Sequence, residues 1–220
     1  MTQTSGLVLY NYFRSSCSYR VRIALNFKSL PFEYRAVHLV KNGGEQYLPD
    51  YLNLNPSREV PTLLHGKVVI AQSLAILDYL ENIAPTPRLY PRDPATRALV
   101  IQACEIVNSG AQPPANLRVT KLLAERFGAT DEQKLEWTKF WVKWGLETLE
   151  AFLKPIAGKY SVGDTFTAAD CCTIPMMFGA DRFGVPTDSY PTLLRVTKNG
   201  LELDAVKKAS PSQQPDFPKT

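Results

Sequence analysis

Residues 7–27 read LVLYNYFRSSCSYRVRIALNF, a strand, a turn and a helix in one continuous stretch. Residues 7–12 form a short apolar and aromatic run suited to a buried strand. After the turn at 14–16, Val21, Ala24, Leu25 and Phe27 recur at the spacing of one helix face. Pro31 stops that helix, and residues 32–39 read as a second strand. Two strands joined by a crossover helix are expected to pair in parallel.

Further along, residues 60–64 and 67–70 flank a His65-Gly66 turn, which predicts an antiparallel hairpin. Leu74, Ile76, Leu77, Leu80 and Ile83 then share a helix face behind Ser73, expected as its N-cap. The order is βαβ followed by ββα, compatible with a thioredoxin-like domain over residues 1–84. Residues 85–94, PTPRLYPRDP, carry four prolines and cannot be regular helix or central strand, so they read as a linker. From 95 to 220 the pattern is helical almost throughout, predicting an all-α second domain. Within it Thr130 to Gln133 fits a capping box that opens a long helix, and Thr167 to Asp170 resembles a second one. Trp137, Trp141 and Trp144 fall on one face of the long helix and read as core. The tail from 210 to 220 is expected to lack order unless it docks.

Composition narrows the class. Of 220 residues, 45% are hydrophobic, and 25 Lys and Arg stand against 21 Asp and Glu, for a net charge of +4. That mild excess favours small anionic ligands and gives no basic run for nucleic acid or a membrane surface. No apolar stretch reaches the ~20 residues a membrane span needs. The first ten residues, MTQTSGLVLY, lack a basic start followed by a long apolar stretch. Cys17, Cys104, Cys171 and Cys172 show no disulfide framework, and with His38 and His65 they form no metal-ligand spacing. A reduced, cytoplasmic protein without a bound metal is expected.

Ser15, Ser16 and Cys17 lie where the strand hands over to the helix. Unpaired amides and the positive end of the helix dipole stabilise an anion or a thiolate at such a place. A serine hydroxyl there can donate to that anion and lower a thiol pKa. A self-contained dithiol would need a second cysteine three residues after Cys17, and that position is Arg20. The turn therefore favours a thiol supplied from outside, against the plainer reading of two capping serines and a small buried cysteine. A cis bond at Val60-Pro61 would turn Val60 outward and expose its main chain. Gln72-Ser73 stands where a helix N-terminus can receive a carboxylate.

The stretch from Ser15 to Leu25 resembles the signature of the zeta-class glutathione transferases, the maleylacetoacetate isomerase family. The resemblance continues through Leu54-Asn55-Pro56, Val60-Pro61-Thr62-Leu63, Gln72-Ser73-Leu74-Ala75-Ile76 and Pro85-Thr86-Pro87-Arg88-Leu89. It returns at Gln112-Pro113, Val162-Gly163-Asp164, Ala169-Asp170, Arg182-Phe183 and Tyr190-Pro191. It departs at Pro114-Ala115 and Arg118, which concern the substrate side more than the glutathione side.

What the resemblance implies is a homodimer with glutathione as cofactor and a small anionic unsaturated diketo acid as substrate. Ser15 would hold the glutathione sulfur as thiolate, with Ser16 and Cys17 beside it. Val60, ahead of a cis Pro61, would pair with the cysteinyl backbone. Gln72 and Ser73 would take the γ-glutamyl end, and Gln46 would approach the glycyl end. Gln112 and Asn116 match family positions on the helical side and would also bind glutathione. Arg182 is the candidate for a substrate carboxylate, ahead of Arg14 and Arg118, while Arg20 and Arg22 read as structural. The implied reaction is isomerisation of maleylacetoacetate to fumarylacetoacetate, in tyrosine and phenylalanine catabolism. Maleylpyruvate isomerisation, or reductive dehalogenation through Cys17, is the alternative. A glutathione-binding module without turnover is a distant third.

Overall fold

A computed structural model of the protein describes residues 6–218. The chain divides into two compact units. One combines the residues up to Leu89 with those from Glu202 onward, and the other is Tyr90–Leu201.

The first unit is built on a four-stranded mixed sheet. Strand β1 (Leu7–Asn11) leads to helix α1 (Ser16–Phe27), β2 (Phe32–Ala36) and the short α2 (Pro49–Leu54). Then follow β3 (Thr62–His65), β4 (Val68–Ala71) and α3 (Ser73–Ile83). The strand order is β2-β1-β3-β4. β1 pairs with β2 in parallel and β3 with β4 antiparallel, as the crossover and hairpin predict, and β1 also pairs with β3 antiparallel. Along β1, Leu7, Leu9 and Asn11 are buried while Val8 and Tyr10 are less so, the two-residue period of a sheet. Leu9, Val21, Ile23, Leu25, Leu63, Ile76, Leu77 and Leu80 form its buried centre. A second cluster of Tyr12, Phe13, Val37, Tyr51 and Val60 lies beyond the end of β1.

Arg22 explains how the strand end is fixed. Its guanidinium is fully buried and donates to Asn11 Oδ1 (3.0 Å), Tyr12 O (3.2 Å), Phe13 O (2.9 Å) and Ala209 O (3.0 Å). Burial lowers its pKa to about 10, so it remains a cation at neutral pH. Lys28, also buried, donates to Glu81 (2.7 Å), Ala84 O (2.7 Å) and Pro87 O (2.8 Å), while Glu81 accepts from Leu89 N (2.9 Å). Residues 84–89 are thereby fastened to the first unit, and half of the proline-rich stretch is not a free linker.

The second unit holds α4 (Pro94–Glu105), α5 (Leu117–Phe127), α6 (Asp131–Leu153), α7 (Ala168–Phe183) and α8 (Pro191–Leu201). α4 runs into a π-helical turn, Ile106–Ala111. The Thr130–Gln133 capping box is formed in both directions, with bonds of 3.2 and 2.9 Å. Both halves of the Thr167–Asp170 box are present as well. The tryptophans depart from expectation. Trp137 and Trp144 are each 38% exposed, and the buried face of α6 is Val142, Gly145, Leu146, Leu149 and Leu153. The closest approach falls on Gly145, where a Cβ would sit 2.4 Å from that of Ala111, while Trp144 packs over Gly110, whose added Cβ would lie 2.8 Å from its ring.

The tail also departs from expectation. Rather than extending the all-α unit, α9 (Asp204–Ala209) packs on α1 within the first unit. Residues 210–218 continue there, with Pro211 buried. Residues 219 and 220 of the expected loose tail lie outside the described residues.

Candidate functional site

The site of the first unit begins where β1 ends. Ser15 N donates to Tyr12 O (3.1 Å) and closes the turn. Ser15 is the N-cap of α1, with extended backbone (φ −71, ψ 122) and its Oγ accepting from Ser18 N at 3.2 Å. A serine oxygen carries one proton and two acceptor positions. Having accepted from Ser18, Ser15 keeps its O–H to donate elsewhere. The amides of Ser16 and Cys17 belong to the first helical turn, where the backbone has no intrahelical acceptor and the dipole is positive. Ser15, Ser16 and Cys17 are all partly exposed, and Cys17 is not in a disulfide. One turn thus gathers three of the predicted residues.

A second helix start lies at α3. Ser73 is not its N-cap, as the sequence pattern suggested, but its first residue, 2% exposed. A buried guanidinium needs acceptors, and Ser73 Oγ accepts from Arg20 Nη1 at 3.1 Å, so that oxygen is turned away from capping. Gln72 takes the cap position with φ +72 and no side-chain cap bond. Its side chain is exposed. A non-glycine residue in this region is uncommon and gathers at binding sites.

The Val60-Pro61 bond is cis. Val60 does not turn its side chain outward, however. It is 7% exposed, packed in the cluster with Tyr12, Phe13 and Tyr51, because apolar rings there offer it a dry seat. Among the described residues its main-chain N–H and C=O meet no hydrogen-bond partner.

Gln46, 3% exposed, donates from Nε2 to Leu39 O at 3.2 Å, and its buried Oε1 has no donor. Gly44 has φ +111, and a Cβ there would come within 2.5 Å of the Gln46 amide. His38 and Glu45, which sequence reasoning did not single out, hold this loop shut. His38 N donates to Glu45 Oε2 (2.6 Å), Glu45 N returns a bond to His38 O (2.9 Å), and Lys41 N donates to His38 Nδ1 (2.9 Å). The Gly43-Gly44 pair was the available sequence signal.

In the second unit, Gln112 directly follows the π-helical turn, and its N–H donates to Val107 O (3.0 Å). Asn116 caps α5 by accepting from Arg118 N at 3.0 Å. Trp137 Nε1 donates to Pro114 O (2.8 Å), fixing the loop between Gln112 and Asn116. Arg182 is exposed in the last turn of α7, its guanidinium 4.6 Å above the Phe183 ring. Arg14 lies 5.7 Å from the Tyr12 ring centre, and Arg118 is exposed. Among the described residues no group of three His, Cys, Asp or Glu could hold a metal ion.

A parallel βα crossover, an antiparallel hairpin after a cis proline, and a serine-capped first helix make the first unit a thioredoxin-like domain, and its family match places it in the glutathione transferase class. Residues 14–83 match the family described as glutathione S-transferase, N-terminal domain. The maleylacetoacetate isomerase of Mus musculus is 41% identical over 98% of this chain and 97% of its own. A bacterial maleyl pyruvate isomerase, a zeta-class glutathione S-transferase solved in its holo form, superposes with a TM-score of 0.92 at 41% identity, over 96% of this chain and all of that one. The maleylacetoacetate isomerase of Methylobacterium extorquens AM1, solved with bound malonate and GSH, gives 0.92 at 37% identity, again over 96% and 100%. The chain belongs to the zeta-class glutathione transferases, the maleylacetoacetate isomerase family.

Proposed function

We propose that this chain is a glutathione-dependent enzyme that isomerises maleylacetoacetate to fumarylacetoacetate. The observation that carries the reading is Ser15, whose oxygen already accepts from Ser18 and whose proton stands at the positive end of α1. Bound glutathione supplies a thiolate able to add reversibly to a conjugated cis double bond and so free it to rotate.

The chain's own groups do the rest. Ser15 O–H stabilises the sulfur anion, with the first-turn amides of Ser16 and Cys17 beside it. The main chain of Val60 receives the cysteinyl backbone. The uncapped start of α3 at Gln72 and Ser73 receives the γ-glutamyl carboxylate. The buried Gln46 Oε1, lacking a donor, suits a peptide N–H toward the glycyl end. Gln112 and Asn116 are the helical unit's candidates for binding glutathione, and Arg182 is its candidate for the substrate carboxylate. A guanidinium such as Arg182 fits a carboxylate bidentately and offsets negative charge growing on the substrate's carbonyl oxygen.

The same reading makes the protein a cytoplasmic homodimer in tyrosine and phenylalanine breakdown. On edge strand β4, Val68 and Val69 are 46% and 45% exposed, an apolar edge that a second subunit can cover. The test mixes purified protein, glutathione and maleylacetoacetate and follows loss of the cis substrate. Acceleration well beyond free glutathione is expected, and none would overturn the reading. Faster turnover of maleylpyruvate in a parallel assay would transfer the substrate assignment to it.

A further inference from the structure

We propose that Asp216, near the far end of the chain, is a positioning residue for the Ser15 turn; the proposal rests on the glutathione reading above. After α9 the chain makes a single 3-10 turn, Pro211–Gln213, and returns to the end of β1. There Asp216 Oδ2 accepts from Phe13 N at 3.0 Å, and Oδ1 accepts from the Tyr34 hydroxyl. The Phe217 ring meets the Phe13 ring edge-on at 5.4 Å.

Phe13 is thus held from three directions. Its N–H goes to Asp216, its C=O to Arg22 and its ring to Phe217. It is two residues from Ser15, and it lies past the last ladder residue of β1, so sheet pairing does not place it. The preceding amide, Tyr12 N, donates to Ser18 Oγ at 3.4 Å. The carboxylate is anchored in turn. Tyr34 sits in β2 opposite Leu9, and burial together with Asp216 pushes its pKa up, so it stays a donor. A charge-assisted bond to a main-chain N–H is among the stronger fixings available to a turn. A displacement of about 1 Å in a group that must meet a reacting atom costs on the order of 100-fold.

This differs from simple fastening of the tail. Arg22 to Ala209 and the packing of α9 on α1 already attach the segment, and both precede Asp216 in the chain. Asp216→Ala leaves those contacts and removes the hold on Phe13. The experiment compares wild type with Asp216→Ala and Asp216→Asn in amide hydrogen exchange and in the thiolate absorbance of bound glutathione. For Asp216→Ala, exchange at residues 13–18 should quicken about tenfold or more, with the β1–β3 ladder unchanged. The bound thiolate fraction at fixed pH should fall about threefold or more, the size expected when a charge-assisted bond that holds the donor's turn is lost. Asp216→Asn, which keeps one acceptor, should fall between. Unchanged exchange and absorbance would overturn the proposal, as would protection lost evenly across the unit. Should Asp216→Ala fail to fold, Tyr34→Phe removes one anchor of the same carboxylate and carries the same readouts. If wild type itself shows no thiolate with glutathione, the functional reading fails, and the exchange data still decide whether Asp216 places the turn.

Discussion

The Ser15 oxygen accepts from Ser18 and keeps its own proton, so Ser15→Ala removes a cap and a donor together. Loss of the cap should cost about 1 kcal/mol in chemical denaturation. Loss of the donor should lower turnover about 100-fold or more, with less thiolate absorbance from bound glutathione. Cys17→Ala should leave isomerisation intact in the same assay; abolished turnover would make Cys17 the attacking group. Gly44→Ala places a methyl against the Gln46 amide in a backbone conformation that L-residues avoid. Glutathione affinity, read by calorimetry, should weaken about tenfold through displacement of Gln46, the loss of roughly one hydrogen bond. The Ser15 turn was legible because strand, cap and helix follow one another directly. The true partner of Ser73 was not, because Arg20 is 53 residues away and nothing local marks the pair.

At the scale of the element, α7 starts on a carboxylate that is only 1% exposed. Asp170 accepts from Ser161 N (2.7 Å) and from Thr167 N (2.8 Å). Burial raises its pKa above the usual carboxylate value, and these bonds only partly restore it. The folded state therefore holds the proton more tightly than the unfolded chain. This group's contribution to stability is full in acid and is lost as pH rises through the folded pKa. Asp170→Asn, which does not titrate, should flatten that part of the stability–pH curve above about pH 4. Asp170→Ala should cost about 2–4 kcal/mol by urea denaturation, since a cap and buried donors lose their acceptor together. Both capping boxes could be read from the sequence because each spans four residues. The tryptophan face could not, since periodicity gives the stripe but not whether a glycine brings a neighbouring segment onto another face of the same helix.

For the whole molecule, sedimentation should give a mass twice that of the 24.6 kDa chain, and a monomer at working concentration would remove the homodimer from the reading. A chain cut after Leu201 should keep the helical signal of its second unit and lose amide protection in the first, because Arg22 loses an acceptor and Phe13 its carboxylate. The first unit's leading segment ends at Leu89 and the second unit begins at Tyr90, inside the proline-rich stretch. The return of the tail was invisible to local pattern, its two anchoring bonds spanning 187 and 203 residues. That return bears on how the protein is made. A ribosome releases domains in order at roughly 5–20 residues per second, and most N-terminal domains close before the rest emerges. Here the first unit needs Ala209 and Asp216, so the nascent glutathione-binding half must wait, unfinished, until the whole helical unit and the segment after it have been made.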